Sequence, residues 1–275
     1  MRYAELDYHP ADVSSQAAAA QAARILDDAE QTDPGFLVYL LQHSNVLVLA
    51  GLRAQGPYNS FSPIMTPARL RRFEALLARH GVVIVTEATS YESSADTSYS
   101  FFSPKLIEEV PRRYGAVAGE WLAITDYSVK GVAEWCYVME KRLATLMSRQ
   151  DLPVEWLQDW WAPHHLRFGM VLSYPGVAIS SNLWADARHQ ADGHEEPFET
   201  VMIGTDAWYG ASVGFYVARE PASSPEVQQV CKLWQRTIDI VTRRYSHVGL
   251  QADQRFATEL AALNTKNHSV LSRSG

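Results

Sequence analysis

Cysteine is scarce in this chain: its 275 residues include only Cys136 and Cys231. Neither belongs to a C-x-x-C pair, so a dithiol redox centre or a zinc knuckle is not the organising motif. Each falls in a predicted helix, where a reduced thiol packs as a small hydrophobe. A disulfide between the two stays open as the alternative. Long apolar runs are also missing. No stretch approaches the roughly 20 residues of a membrane-crossing helix. The opening Met-Arg-Tyr-Ala-Glu-Leu-Asp lacks the apolar core of a secretory leader. A soluble, cytoplasmic protein with no membrane partner is the expectation. Basic charge is short too: 24 Lys and Arg stand against 31 Asp and Glu, for a formal net charge of −7. Phosphate backbones are bound by basic faces, so nucleic acid is not an expected partner, although a local basic patch is compatible with the total.

What is present is ordinary globular material. Hydrophobic residues make up 47% and charged residues 20%, a composition able to bury a sizeable core. The expected fold class is α/β (or α+β): a single domain over residues 1–264 with a mixed β-sheet flanked by helices. A polar tail at 265–275 is expected to be disordered.

Taken in order, Ala11 to Glu30 reads as an alanine-rich helix that stops before the turn signal Pro34-Gly35. Phe36–Leu41 and Val46–Leu52 are apolar runs of strand length. The second suits a strand buried on both faces of a parallel sheet. Thr66 caps a helix with Pro67 at its first position, Leu70, Phe73, Leu76 and Leu77 on one face and Gly81 at its end. Val82–Thr86 reads as a second buried strand. Strand, loop, capped helix and strand form a βαβ unit, whose strands would pair in parallel and could carry a nucleotide at their carboxyl ends. The loop after Gly51 is neither a Walker loop nor a G-x-G-x-x-G turn. Tyr99–Phe102 is a short strand and Pro104–Tyr114 a short helix. Trp121–Thr125 is strand-like, and Val129–Arg149 is an amphipathic helix. Trp156, Trp160 and Trp161 stack on a sugar or base, close one end of the core, or meet a partner chain.

The later chain reads as strands: Leu166–Leu172 and Val177–Leu183 as a hairpin candidate, then Phe198–Gly204, then Ser212–Arg219. In the last, Val213, Phe215 and Val217 alternate with smaller residues, and Gly214 invites a close approach to the backbone. Ser223 and Glu226 have capping-box spacing ahead of a helix whose face carries Val227, Val230, Leu233, Trp234, Ile238 and Val241. Asp253-Gln254 opens a last helix, where Asp253 suits the first turn as a capping residue. Between these lies the polar loop Asp186–Glu196.

The order Ser212-Val-Gly-Phe-Tyr-Val-Ala-Arg219, Ser223-Ser224, Trp234, Asp253-Gln254 resembles nucleotide-sugar glycosyltransferases of the GT-A type over the last third of the chain. Ser212 stands where that family has Asn. The resemblance implies a transferase that moves a sugar from a nucleotide-diphosphate donor. It casts Asp206, Asp253 and Gln254 as catalytic, beside Trp208, Tyr209, Gly214, Arg219 and Asn182 as substrate-binding residues. Mn or Mg is the implied cofactor, since oxygen ligands suit hard divalent cations. The family's Asp-x-Asp motif is missing: Ser180 and Asn182 occupy that place, which leaves Asp186 as the candidate metal ligand.

Two other classes fit the residues. One is a non-catalytic acidic cytoplasmic protein that binds a basic partner, for example an immunity-type inhibitor of a toxic enzyme; the net charge and the abundance of Trp and Tyr favour it. The other is a metal hydrolase using His189 and His194.

Overall fold

The computed structural model describes residues 8–41, 45–56, 59–60, 65–88, 97–114, 169–170, 172–182, 185, 193, 198–203, 213–218 and 222–248. Helices dominate them. The strands form two small sheets, both antiparallel: one in the order β1-β3-β2, the other pairing β4 with β5. Among the described residues no helix is long and apolar enough to cross a membrane.

Helix α1 (Ser15–Thr32) begins where the Ser14 hydroxyl accepts from the Ala17 N–H at 3.2 Å. Its alanines are a packing surface: Ala18, Ala19, Ala22 and Ala29 are buried beside Ile25 and Leu26. Small side chains on one face let neighbouring helices approach closely, and α1 accordingly lies at the centre of the core.

The two apolar runs after α1 depart from expectation. Both are helical: α2 (Phe36–Leu40) and α3 (Asn45–Leu49). A run that is apolar on every face satisfies a doubly buried strand and a core helix equally well, and periodicity alone cannot separate them. Local polar groups favour the helices. The Asp33 carboxylate accepts from the Gly35 N–H at 3.0 Å ahead of α2, and the buried Asn45 amide donates to Tyr39 O at 2.8 Å behind it. Helix α3 ends in a Schellman motif around Gly51, whose φ of 73° is the left-handed conformation that glycine adopts freely. There Gly51 N–H donates to Val48 O and Leu52 N–H to Leu47 O.

Helix α4 (Pro67–Arg79) follows the sequence closely. The Thr66 hydroxyl caps it, Pro67 fills the first turn, Phe73, Leu76 and Leu77 are buried, and Gly81 at φ 70° closes a second Schellman motif. The chain then enters β2 (Val83–Ala88), which pairs antiparallel with β3 (Thr97–Phe102); β3 also pairs with the two-residue β1 (Asn59–Ser60). With α3 in place of a strand and β2 antiparallel to its neighbour, the expected βαβ unit is absent from these residues. Val83 is 45% exposed, so β2 is not buried on both sides. Phe73 joins the layers: it stacks on Phe36 at 4.5 Å between centroids and meets Phe101 edge-on at 5.8 Å.

Residues 104–114 form two short helices, α5 (Pro104–Glu108) and α6 (Val110–Tyr114). Residues 176–182, expected as a strand, are helical and are labelled α7. The serine hydroxyls there bond backward along the helix, Ser180 to Gly176 O at 2.9 Å and Ser181 to Ala178 O at 3.0 Å. Strands β4 (Phe198–Ile203) and β5 (Val213–Ala218) match the sequence reading and pair from Phe198 with Ala218 to Ile203 with Val213.

The last described helix, α8 (Pro225–Arg244), buries Val227, Val230, Trp234, Ile238 and Val241 as the spacing predicts. Its cap is Ser224, which accepts from the Val227 N–H, rather than Ser223. Glu226 also departs from the capping box: its carboxylate accepts from Val177 N–H at 3.2 Å, in the first turn of α7. Helices α1 and α8 run parallel. Their N-terminal turns share one groove, and at the far end Arg244 and Tyr245 reach Asp27 while His247 reaches Glu30. The expected elements at Trp121–Thr125, Val129–Arg149 and Asp253–Leu263, the 156–165 aromatic cluster and the 265–275 tail lie outside the described residues.

Candidate functional site

The turns at Gly51 and Gly81, the exposed edge of α1, the α5–α6 corner and residues 11–13 enclose a polar cleft of about 430 Å3. Its walls carry Arg24, Lys105, Arg112 and Arg113 against the carboxylates of Asp12 and Glu109, with His80 and Ser103 between them. Four cations facing two carboxylates give the cleft a positive surplus, inside a chain whose net charge is −7.

Arg113 is the fixed member of this set, 5% exposed. Helix α6 delivers it beneath the carbonyl end of α3. One terminal nitrogen donates to Leu52 O at 3.1 Å and to the Ser173 hydroxyl at 3.3 Å; the other donates to Gly51 O at 3.3 Å. A cation at a helix C-terminus satisfies carbonyls left without an intrahelical partner and opposes the negative end of the dipole. Ser173, one of its acceptors, holds a φ of 58° without being glycine. The Arg113 Nε atom is buried with no hydrogen-bond partner. Arg24, Lys105 and Arg112 are exposed, and Arg112 pairs with Glu109 at 3.3 Å.

Behind Arg113 lies a second buried arginine. Arg53 is 3% exposed, and its guanidinium sits 5.5 Å from the Tyr174 ring centre and 5.3 Å from that of Trp234. Burial lowers its proton affinity, and Tyr174 partly offsets this. Aromatic faces supply the negative electrostatic surface that a desolvated cation needs. Nearby, the Tyr114 hydroxyl donates to Tyr174 O at 2.6 Å, and Tyr8 packs on the Tyr114 ring at 5.0 Å. Burial pushes both phenols well above their ordinary range, so they are hydrogen-bond donors and not acids at neutral pH. This buried layer anchors α6 and the 172–177 segment; the cleft in front of it is the part open to a ligand.

Of the residues predicted to form a site, Asn182 and Gly214 lie among the described residues, and neither lines the cleft. Asn182 sits half-buried near the end of α7, on a helix and not at a strand end. Gly214 lies in β5 opposite Met202. Asp186, Asp206, Trp208, Tyr209, Arg219, Asp253 and Gln254 lie outside the described residues, as do His189, His194 and Cys136. Among the described residues no three His, Cys, Asp or Glu side chains gather as metal ligands. The sequence reading passed over Arg24, Lys105 and the Arg112-Arg113 pair. The available signal was weak: Arg112-Arg113 stands in a short, mixed-charge helical segment, where adjacent residues face different sides, and the chain holds other doubled arginines at 71–72 and 243–244.

Cleft and scaffold together define a helix-rich fold with antiparallel sheets and a cation-lined polar cleft. Compared with protein-family models, curated proteins and solved structures, the chain matches none of them.

Proposed function

We propose that this protein binds an anionic small molecule in the cleft between α1, the Gly81 turn and the α5–α6 corner. The observation that carries the reading is the surplus of arginine and lysine around a cavity of about 430 Å3, floored by a buried arginine held in place by three hydrogen-bond acceptors. A volume of this size suits a small ligand. Fixed charge at the floor and mobile charge at the rim suit an anion that enters from solvent and is then enclosed.

A nucleotide-diphosphate sugar belongs to this ligand class, and sugar transfer is the finer form of the proposal. Asp206, Asp253 and Gln254 would then supply the catalytic groups, with Asp186 and a bound Mn or Mg beside the diphosphate. A panel of inorganic phosphate, pyrophosphate, nucleoside diphosphates and nucleotide sugars, with and without Mn, tests both levels by thermal stabilisation. Ligand at 100 times its Kd stabilises the native state by about 2.7 kcal/mol. Charge reversal at the exposed rim, Arg24→Glu with Lys105→Glu, is expected to abolish the shift and leave the unliganded melting temperature nearly unchanged. Were no anion to stabilise the wild-type protein, the cleft would not be its functional site.

The helices Phe36–Leu40, Asn45–Leu49 and 176–182 favour a second reading, because they stand where the transferase resemblance implies strands. In it the chain is a non-catalytic acidic protein that docks a basic partner. Binding to that partner would weaken steeply with salt and would be kept or strengthened, not lost, in the Arg24 and Lys105 reversals.

A further inference from the structure

Resting on that anion-binding reading, we infer that Glu109 is a resident counter-ion in the cleft, holding the place of a phosphoryl dianion that must displace it. Glu109 closes α5, and its backbone carbonyl accepts from the N–H groups of both Arg112 and Arg113, at 3.0 and 3.2 Å. One turn of chain therefore fixes the carboxylate and both arginines relative to one another. A single carboxylate oxygen of Glu109 lies 3.3 Å from Arg112 Nη2 and 3.7 Å from Arg113 Nη2. That bridging position, between a buried guanidinium and an exposed one, is the position an anionic ligand would take.

The two arginines differ in freedom. The Arg113 side chain is 6% exposed and committed to Gly51 O, Leu52 O and Ser173; Arg112 is 76% exposed. A ligand can draw Arg112 away from Glu109 while Arg113 stays as the floor. Glu109 itself is 28% exposed, so its carboxylate can swing toward solvent without crossing the core.

Charge selects the class of ligand. With Glu109 displaced, Arg24, Lys105, Arg112 and Arg113 face Asp12 alone, a surplus of three positive charges around the cavity. A dianion offsets two of the three, one more than the Glu109 carboxylate that it replaces. A monocarboxylate would replace Glu109 with a group of equal charge that lacks its covalent tether, and so gains little. Phosphoryl groups combine two charges with several acceptor oxygens for guanidinium donors.

The test uses the full chain and titration calorimetry at constant ionic strength, at a pH where phosphate is doubly charged. The probes are inorganic phosphate, a nucleoside diphosphate and acetate. Wild type is expected to prefer either phosphoryl probe to acetate, and the stronger of the two identifies free phosphate or a nucleotide as the source. Glu109→Gln is expected to tighten phosphoryl binding about fivefold or more, the lower end of coupling between competing groups. Glu109→Ala should act in the same direction. Glu108→Gln removes the same charge from an exposed neighbour outside the cleft and should leave affinity unchanged. Unchanged or weaker binding in both Glu109 variants, or equal tightening by Glu108→Gln, overturns the counter-ion role while the anion site stands. Absence of phosphoryl binding in wild type and variants alike removes the anion reading and the counter-ion with it.

Discussion

Replacing Asp33 with asparagine isolates the polar junction between α1, α2 and α4. The Asp33 carboxylate receives two parallel hydrogen bonds from Arg69, from Nε and Nη2 at 2.8 Å each, and a third from Gly35 N–H at 3.0 Å. Both side chains of the ion pair are about four-fifths buried, at 18% and 20% exposure. Burial alone would raise the carboxyl's pKa, but the hydrogen bonds and charge of Arg69 with the Gly35 N–H outweigh it, and the net direction is downward. A carboxylate with a depressed folded-state pKa stabilises the protein above its unfolded value, near ~3.9, and loses that contribution as pH falls through the folded value. Hydrogen bonds to charged groups are worth about 1.5–3 kcal/mol, and a forked, mostly buried pair belongs toward the upper part of that range. Asp33→Asn keeps the shape and removes the charge, so a loss of about 2 kcal/mol at neutral pH is expected, or roughly 4–8 °C in melting temperature for a chain of this size. The assay is urea denaturation of both proteins at about pH 7 and again at about pH 3, below the unfolded carboxylate value. The difference should shrink at the lower pH, because the unfolded wild-type carboxyl then holds a proton that folding to the ion-paired state must expel. An equal difference at both pH values would mean that asparagine disturbs packing and that charge is not the cause; no difference at neutral pH would refute the stabilising role altogether.

The cap of α8 gives a paired test: Ser224→Ala should cost about 1 kcal/mol in chemical denaturation and Ser223→Ala much less, and the reverse order would contradict the placement of the cap. Trp234, 2% exposed, is both a core side chain and one face of the Arg53 cage. Trp234→Ala should cost about 3–5 kcal/mol, whereas Trp234→Phe, which keeps an aromatic face, should recover much of it. Burial pushes the Cys231 thiol up to about 11, so alkylation at neutral pH should be slow in the native protein and fast in denaturant; rapid native labelling would contradict the half-buried position on α8.

Where the sequence carries punctuation, it fixes structure well. Thr66-Pro67 and Gly81 bracket α4 because a hydroxyl cap, a locked φ and a left-handed glycine each permit few alternatives. Strands β4 and β5 were legible because alternation survives even where half the strand is polar or small. Phe36–Leu41 and Val46–Leu52 were not, since full burial erases the periodicity that separates helix from strand. Asn45 reaches back to Tyr39 O between the two helices, a bond with no short-range sequence signal. Glu226 is a similar case: its spacing to Ser223 points to a local capping box, but its partner is Val177 N–H in a different helix. The cleft was hidden for the same reason. Arg24, Lys105 and Arg112 are separated along the chain and converge only because α1, α5 and α6 pack around the Gly51 and Gly81 turns.

The parallel pairing of α1 with α8 has a consequence during synthesis. The Tyr245 hydroxyl meets Ala23 O across 222 residues of chain. As the ribosome works, α1 emerges long before α8, and the side of α1 on which α8 packs stays uncovered in the interval. At typical elongation rates that interval is roughly 10 to 45 s, long enough for holdase chaperones and proteases to compete for the exposed face. A fragment ending before residue 225 would keep α2, α3 and α4 against α1 but leave open the side of α1 on which α8 packs.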